Sequence, residues 1–244
     1  MVRAWAVAMG AMLVIGSTTF AVAGDAEDCV SKTIPADRSA AACRRLAEDG
    51  NAAAQYNLGV MYHHGLGVAQ SDGEAAKWIR RAAEQGIAEA QHNLGAAYAT
   101  GEGVPQDYGE AAKWFRRAAE QGDADAQCFL GSMYIQGQGV PKDSREAANW
   151  FRRAAEQGQV EAQYNVGLMY GAGMGVPQDY VQEHMWLYLA AASLPPGEYH
   201  DNAIRFRDHA ASLMTPAQIE ETQRLAREWK PKPETRRRRT GTAL

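Results

Sequence analysis

Long apolar runs are missing from this 244-residue chain. The one apolar stretch, Ala4 to Ile15, is interrupted by Gly10 and stops at Gly16, whereas a membrane helix needs roughly 20 consecutive apolar residues. No integral membrane span is therefore expected. Cysteine is almost absent: three residues allow one bridge and one leftover thiol. Cys29 and Cys43 are the expected pair, closing a loop of about 15 residues and contributing up to about 3 kcal/mol in the chain-entropy account. Cys128 is then free, and it has neither a helix-start setting nor marked basic neighbours to activate it. A G-K-[ST] motif is also missing, and the glycine-containing segments such as Gly101 to Gln106 follow no strand, so phosphate-binding loops are excluded. The six histidines include no i, i+4 pairing with another histidine or cysteine. His63 and His64 are adjacent and project about 100° apart on a helix, so neither a metal site nor a cofactor is expected.

What is present at the N-terminus reads as a secretory signal over residues 1–23. Arg3 precedes the apolar stretch, and Ala21-Val22-Ala23 has the small-x-small form cut by signal peptidase. Cleavage after Ala23 would send the chain to the periplasm or outside the cell, and no cysteine follows to carry a lipid. The formal charge of −4 divides unevenly. The segment from Lys230 onward carries a net +5, which leaves residues 24–229 at −10 once Arg3 is removed. An acidic body with an export signal speaks against nucleic acid as a partner. The tail, residues 231–244, is expected to be disordered and either solvated or folded back on the acidic body.

The dominant feature is a 36-residue repeat. Gly50, Gly86, Gly122 and Gly158 align, as do Leu58, Leu94, Leu130 and Val166, then Tyr62, Tyr98, Tyr134 and Tyr170, and Trp78, Trp114, Trp150 and Trp186. A period of this length marks a stacked array. The units are taken as 50–85, 86–121, 122–157 and 158–193, preceded by a leader and half-unit over 24–49 and followed by capping helices over 194–230. Within a unit, apolar or small residues at helical spacing place a first helix from about Ala52 to His64. It ends at a glycine (Gly65, Gly101, Gly137, Gly173), the cheapest left-handed terminator. The second helix is opened by Ser71, Asp107, Asp143 or Asp179, each three residues before a Glu or Gln in capping-box register. It buries Ala75, Trp78, Ile79, Ala82 and their counterparts, while the arginine pairs at 80–81, 116–117 and 152–153 face out. Much of the 46% hydrophobic content is alanine, so helices pack closely without a bulky centre. After Pro195-Pro196-Gly197 a helix from about Asp201 to Leu213 and a last one opened by Thr215-Pro216 are expected, the latter turning Ile219, Thr222, Leu225, Ala226 and Trp229 inward.

The pattern written by Ala90, Leu94, Gly95, Tyr98, Gly101, Gly103, Val104, Pro105, Asp107, Ala111, Trp114, Ala118, Ala119 and Gly122 resembles the Sel-1-like repeat. The closing segments YVQEHMWLYLAA and RDHAASLMTPAQIEETQRLAREW also look like those of bacterial members. The resemblance implies an all-α, right-handed solenoid of stacked antiparallel helix pairs, similar to tetratricopeptide repeats, whose first helices line a concave groove for peptides or proteins. Departures are Ala69 for proline and Ser71 for aspartate in the first unit, and Val166, Glu183 and His184 in the fourth. Some secreted members carry a cysteine pair in every repeat and are linked to β-lactam binding or slow hydrolysis. This chain lacks those pairs and any S-x-x-K arrangement, so that activity is not carried over.

By the same resemblance the groove positions hold Tyr56, Val60, His63, His64, Glu89, His92, Asp125, Cys128, Ser132, Glu161, Tyr164 and Leu168. Scaffold columns agree between units while these columns differ, as a surface shaped for a partner would. Glu89, Asp125 and Glu161 favour a protein or peptide with a cationic segment, and the tyrosines and His92 offer amphipathic contact area. The carboxylates stand on separate helices, expected about 10 Å apart, too far to share a proton. The reading is a non-catalytic interaction scaffold of the bacterial cell envelope, acting as a monomer. A secreted factor directed at a host or competitor and a cell-wall or β-lactam amide hydrolase are the alternatives. Replacing Trp114 by alanine is expected to lower the unfolding free energy by about 3–5 kcal/mol, measurable by urea denaturation.

Overall fold

The computed structural model describes residues 18–31 and 33–232, with side chains from Gly24 onward. Most of the expected signal segment and most of the basic tail lie outside the described residues. Twelve helices are found among them and no strand: α1 (Thr18–Val30), α2 (Ala36–Glu48), α3 (Ala52–His64), α4 (Asp72–Glu84), α5 (Ala88–Thr100), α6 (Tyr108–Glu120), α7 (Ala124–Gln136), α8 (Ser144–Glu156), α9 (Val160–Ala172), α10 (Tyr180–Ser193), α11 (Glu198–Ser212) and α12 (Pro216–Glu228). The chain forms two compact units. One comprises the residues through Ala97 together with Gly101–Pro105; the other comprises Tyr98–Thr100 and the residues from Gln106 onward. In each, sequence-adjacent helices pack in pairs, α3 on α4 in the first and α7 on α8 and α9 on α10 in the second.

Local chemistry fixes the ends of these helices. Ser71, Asp107, Asp143 and Asp179 sit in extended backbone, and each side-chain oxygen accepts from an amide of the first turn of α4, α6, α8 or α10. The reciprocal half of a capping box forms at Thr215 with Gln218. At α4 and α6 the glutamate turns instead to a lysine one turn on, Glu74 to Lys77 and Glu110 to Lys113. The first helices end in left-handed glycines at 65, 101, 137 and 173.

The turn that follows makes the contact that sets one repeat on the next. At Gly103 an added Cβ would overlap the carbonyl of Asp72, the first residue of α4; in the second unit Gly139 and Gly175 meet Tyr108 and Ser144 in the same way. These approaches lie well inside the 3.0 Å that Cβ atoms keep, and φ is +70° at Gly103 and +67° at Gly139, so glycine is required on both counts. A second repeat-to-repeat lock is a buried glutamine on each first helix. Gln55, Gln91, Gln127 and Gln163 donate to the carbonyls of Ala47, Ala83, Ala119 and Ala155 in the last turns of the preceding helices, carbonyls that also accept from the amides of Gly50, Gly86, Gly122 and Gly158. Gln157 in turn donates to Gln127 at 2.8 Å.

The interior is small-grained. Ala82, Ala83, Ala118, Ala119, Ala154 and Ala155 are almost wholly buried, and Leu58, Leu94, Leu130 and Val166 fill the gaps between them. Trp114, Trp150 and Trp186 are buried, as their helical spacing predicts, whereas Trp78, expected to be buried with them, is only partly covered. The outward-facing arginines are not idle: Arg81, Arg117 and Arg153 lay their guanidinium groups over Trp78, Trp114 and Trp150 at 4.5, 4.5 and 4.3 Å, shielding each indole. In the first unit the disulfide Cys29–Cys43 ties α1 to α2, and Arg45 pairs with Asp25 across the same two helices. In the second, α12 lies on α10, with Thr222 and Ala226 buried and Trp229 edge-on to Trp186. Leu225, expected to point inward, is 39% exposed; it borders an open hollow with Met185, Trp229 and Pro231 where the chain leaves α12.

Gly139→Ala is expected to cost about 3 kcal/mol or more, because relief of the overlap requires the two repeats to part. Gln127→Ala removes one of the donors to the Ala119 carbonyl, which still accepts from the Gly122 amide, and should cost only about 1 kcal/mol. Urea unfolding followed by far-ultraviolet circular dichroism measures both, and equal effects from the two would refute the ranking.

Candidate functional site

The first-helix positions that differ between repeats gather most clearly in the first unit. Tyr56, Val60, His63 and His64 lie along the face of α3 that meets Ala75, Ala76 and Ile79 of α4 and Asn93, Leu94, Ala96 and Ala97 of α5. Together they border a cavity of about 360 Å³. Its floor is apolar because Gly59 and the alanines of α4 keep the helices close, and its rim is polar. Asn93 donates to the Tyr56 hydroxyl at 3.3 Å. His63 stands edge-on to His64, with ring centres 4.6 Å apart.

The rim also holds two residues that reading along single helices does not find. Nδ1 of His63 lies 3.0 Å from Oδ1 of Asp72 and 3.7 Å from Oε1 of Glu102. Asp72 opens α4, and Glu102 rides on the turn whose next residue, Gly103, is pressed against the Asp72 carbonyl. The backbone docking between repeats therefore delivers Glu102 to His63. The signal in the sequence lay across neighbouring repeats, not along one helix.

Glu89 stands exposed on the first turn of α5, with His92 half-buried one turn on. In the second unit Asp125 and Glu161 are exposed on the first turns of α7 and α9. The Gln159 side-chain amide lies 3.4 Å from Asp125 Oδ1 and 2.6 Å from Glu161 Oε2, so those two oxygens can be no more than about 6 Å apart. That corrects the 10 Å inferred from helix spacing: side chains leaning along their first turns close part of the gap, and the amide joins them. Ser132 is half-buried. Cys128 is buried among Ala147, Phe151 and Val166, and burial, helped by the charges of Glu161 and Asp125, pushes its thiol up to about 12, so it is a neutral packing residue rather than a groove contact. Tyr164 is likewise covered, its ring edge-on to Tyr199 of α11 at 5.7 Å, with Leu168 packed beside it against Ala203 and Leu187. Here the protein's own α11 occupies the face expected for a partner.

A second departure, at Glu183 and His184, belongs to the same covering. Where other repeats have two alanines, Glu183 is buried with one carboxylate oxygen unpartnered. Its carboxylate fills the space over Gly171, the position equivalent to His63. Burial raises its pKa above the ordinary 4.5, an effect partly offset by His209. His184 is buried too, and Nδ1 lies 2.7 Å from the Thr222 hydroxyl, whose own hydrogen goes to the Ile219 carbonyl. That network assigns the Nδ1–H donor to His184. Burial and then Arg207 lower its pKa.

Helix pairs of fixed length, glycine-docked turns and a variable first-helix face define the class: an α-helical repeat protein. The stretches 52–87, 88–123, 124–159 and 160–193 each match the Sel1 repeat, and the chain belongs to the Sel1 repeat family. The matched frame begins two residues later than a frame opened on the glycines. A protective antigen present in uropathogenic Escherichia coli strains, which displays the same fold, is similar at 32% identity with a TM-score of 0.73 over 86% of this chain. The match spans only 46% of that longer antigen. A Sel1 repeat protein from Oxalobacter formigenes is 32% identical, with a TM-score of 0.62, covering 82% of this chain and 78% of its own. No curated protein matches the sequence.

The carboxyl of Glu183, with its raised folded-state pKa, favours folding fully below pH 4.5, and that contribution is lost as pH rises through the raised value. Glu183→Gln should therefore raise the urea midpoint at pH 7 and leave it nearly unchanged at pH 4. Equal gains at both pH values would show that charge is not the cause.

Proposed function

We propose that this Sel1 repeat protein is a non-catalytic scaffold of the bacterial cell envelope that docks a protein partner through a cationic segment. Sel1 repeats generally serve protein–protein interaction. The observation that carries the reading is the cavity of about 360 Å³ bordered by Tyr56, Val60, His63 and His64. Four variable positions meet there over an apolar floor, the form expected of a pocket whose specificity is local. Carboxylates surround the variable positions in both units: Asp72, Glu89 and Glu102 in the first, Asp125 and Glu161 in the second. An arginine or lysine fits such a pocket, with its stem on Ile79 and Leu94 and its head at the carboxylates.

The envelope location rests on the Arg3 to Ala23 signal pattern and on the Cys29–Cys43 disulfide, a bridge that persists in oxidising compartments. Among the described residues no helix is long and apolar enough to cross a membrane. A scaffold reading without catalysis is supported by the site itself: the close pair Asp125 and Glu161 is exposed, lacking the apolar pocket that keeps a general acid protonated, and Cys128 is buried and neutral. A secreted, host-facing role is the second reading, favoured by the likeness to a protective antigen.

Cross-linking of the full chain in its own cells should capture a discrete partner whose affinity falls with salt. Reversal of charge at Glu89, Asp125 and Glu161 together should weaken that binding at least tenfold. Unchanged affinity in the triple variant would reject a cationic segment held at these three first-turn carboxylates.

A further inference from the structure

We propose that His63, Asp72 and Glu102 form a binding site for a divalent first-row transition-metal ion, with zinc the best fit, at the joint between the first two repeats. The three donor atoms lie within 4.8 Å of one another. Two ligands sharing an ion at bond lengths of about 2.0–2.2 Å stand roughly 3.0–3.6 Å apart. The 3.0 Å separation of His63 Nδ1 from Asp72 Oδ1 falls in that range, the 3.7 Å to Glu102 Oε1 lies just outside it, and a turn of the exposed Glu102 side chain brings the third donor in.

The trio differs from a chance surface cluster of acids in three respects. It includes an imidazole, and its members come from the last turn of α3, the first residue of α4 and the turn after α5, elements held in register by Gly103 against the Asp72 backbone. The same columns carry no such set elsewhere in the chain: they read Ala99, Tyr108 and Gln138, then Ile135, Ser144 and Met174. The fold thus presents the same turn-to-helix docking at Gly139 and Gly175 but supplies three ligands only at this joint. Two carboxylates and a neutral imidazole also sum to the charge that a divalent cation cancels, and the alanines, Ile79 and Leu94 of the adjoining cavity lower the dielectric on one side.

The donor set is one nitrogen and two oxygens without thiolate, which suits zinc, cobalt, nickel or manganese and disfavours copper(I). Three protein ligands leave coordination positions open toward the cavity, for water or for a side chain brought by another molecule. A bound ion would fasten Glu102 of the second repeat to His63 and Asp72 of the first.

The test uses the full chain and zinc chloride alone, without any partner, so it fails or succeeds separately from the scaffold reading. Calorimetric titration should show one zinc ion per chain at this site, and the thermal midpoint should rise with zinc concentration. Cobalt(II) in place of zinc should give visible d–d absorption. Glu102→Gln, in an exposed turn, and His63→Ala should each weaken zinc binding at least tenfold and remove the cobalt spectrum. His200→Ala, which alters an exposed histidine–aspartate pair elsewhere, should leave both unchanged. No binding by the unaltered chain, or binding that survives both the His63 and Glu102 substitutions, would overturn the assignment.

Discussion

Backbone touching backbone at Gly103, Gly139 and Gly175 is the constraint on which the rest of this protein depends. Each contact sets the turn of one repeat against the opening residue of the preceding second helix, with no side chain between them. Because the contact is made of main chain, the distance it sets does not vary with sequence on either side. The buried glutamines add direction: an amide that reaches the last carbonyls of the previous helix works at one helical rotation and no other. Together these two contacts hold the register in which alanine-lined helices meet.

Much of this was legible in the sequence because it is local. A helix start needs only a Ser, Asp or Asn and the amides two or three residues on, and a helix end needs only a glycine with positive φ, so α3, from its Asn51 cap to Gly65, begins and ends where periodicity places it. The disulfide was legible from the closeness of Cys29 and Cys43 in the sequence, with Cys128 set apart inside a repeat. The second glycine of the turn was visible as a repeated letter, but its reason, a neighbour 31 positions earlier, was not.

The candidate site was less legible for the same reason. Tyr56, Val60, His63 and His64 follow one another on a single helix and border one cavity, whereas Asp72 and Glu102 reach it from other elements. Tyr164 and Leu168 obey the same periodicity as their counterparts, yet they are covered, because a helix beyond the last repeat packs over them and no pattern within the repeat encodes that helix. Glu183 departs from the repeat pattern in the sequence, but its burial over Gly171 is a pairing of two unusual residues in different helices. Long-range compensation of this kind is invisible to any reading that treats positions one at a time.

The alanine-built interior leaves this architecture with a lopsided tolerance. Where six buried alanines already sit at the smallest volume a chiral side chain allows, almost nothing remains to be hollowed out, and the familiar cavity-forming error scarcely exists at those places. Enlargement is the only direction of change, and it would wedge apart helices whose spacing is set elsewhere by main-chain contact. Variation that the fold can absorb is thus diverted outward, to the columns where side chains end in solvent or in a pocket, which are also the columns a binding surface needs to vary.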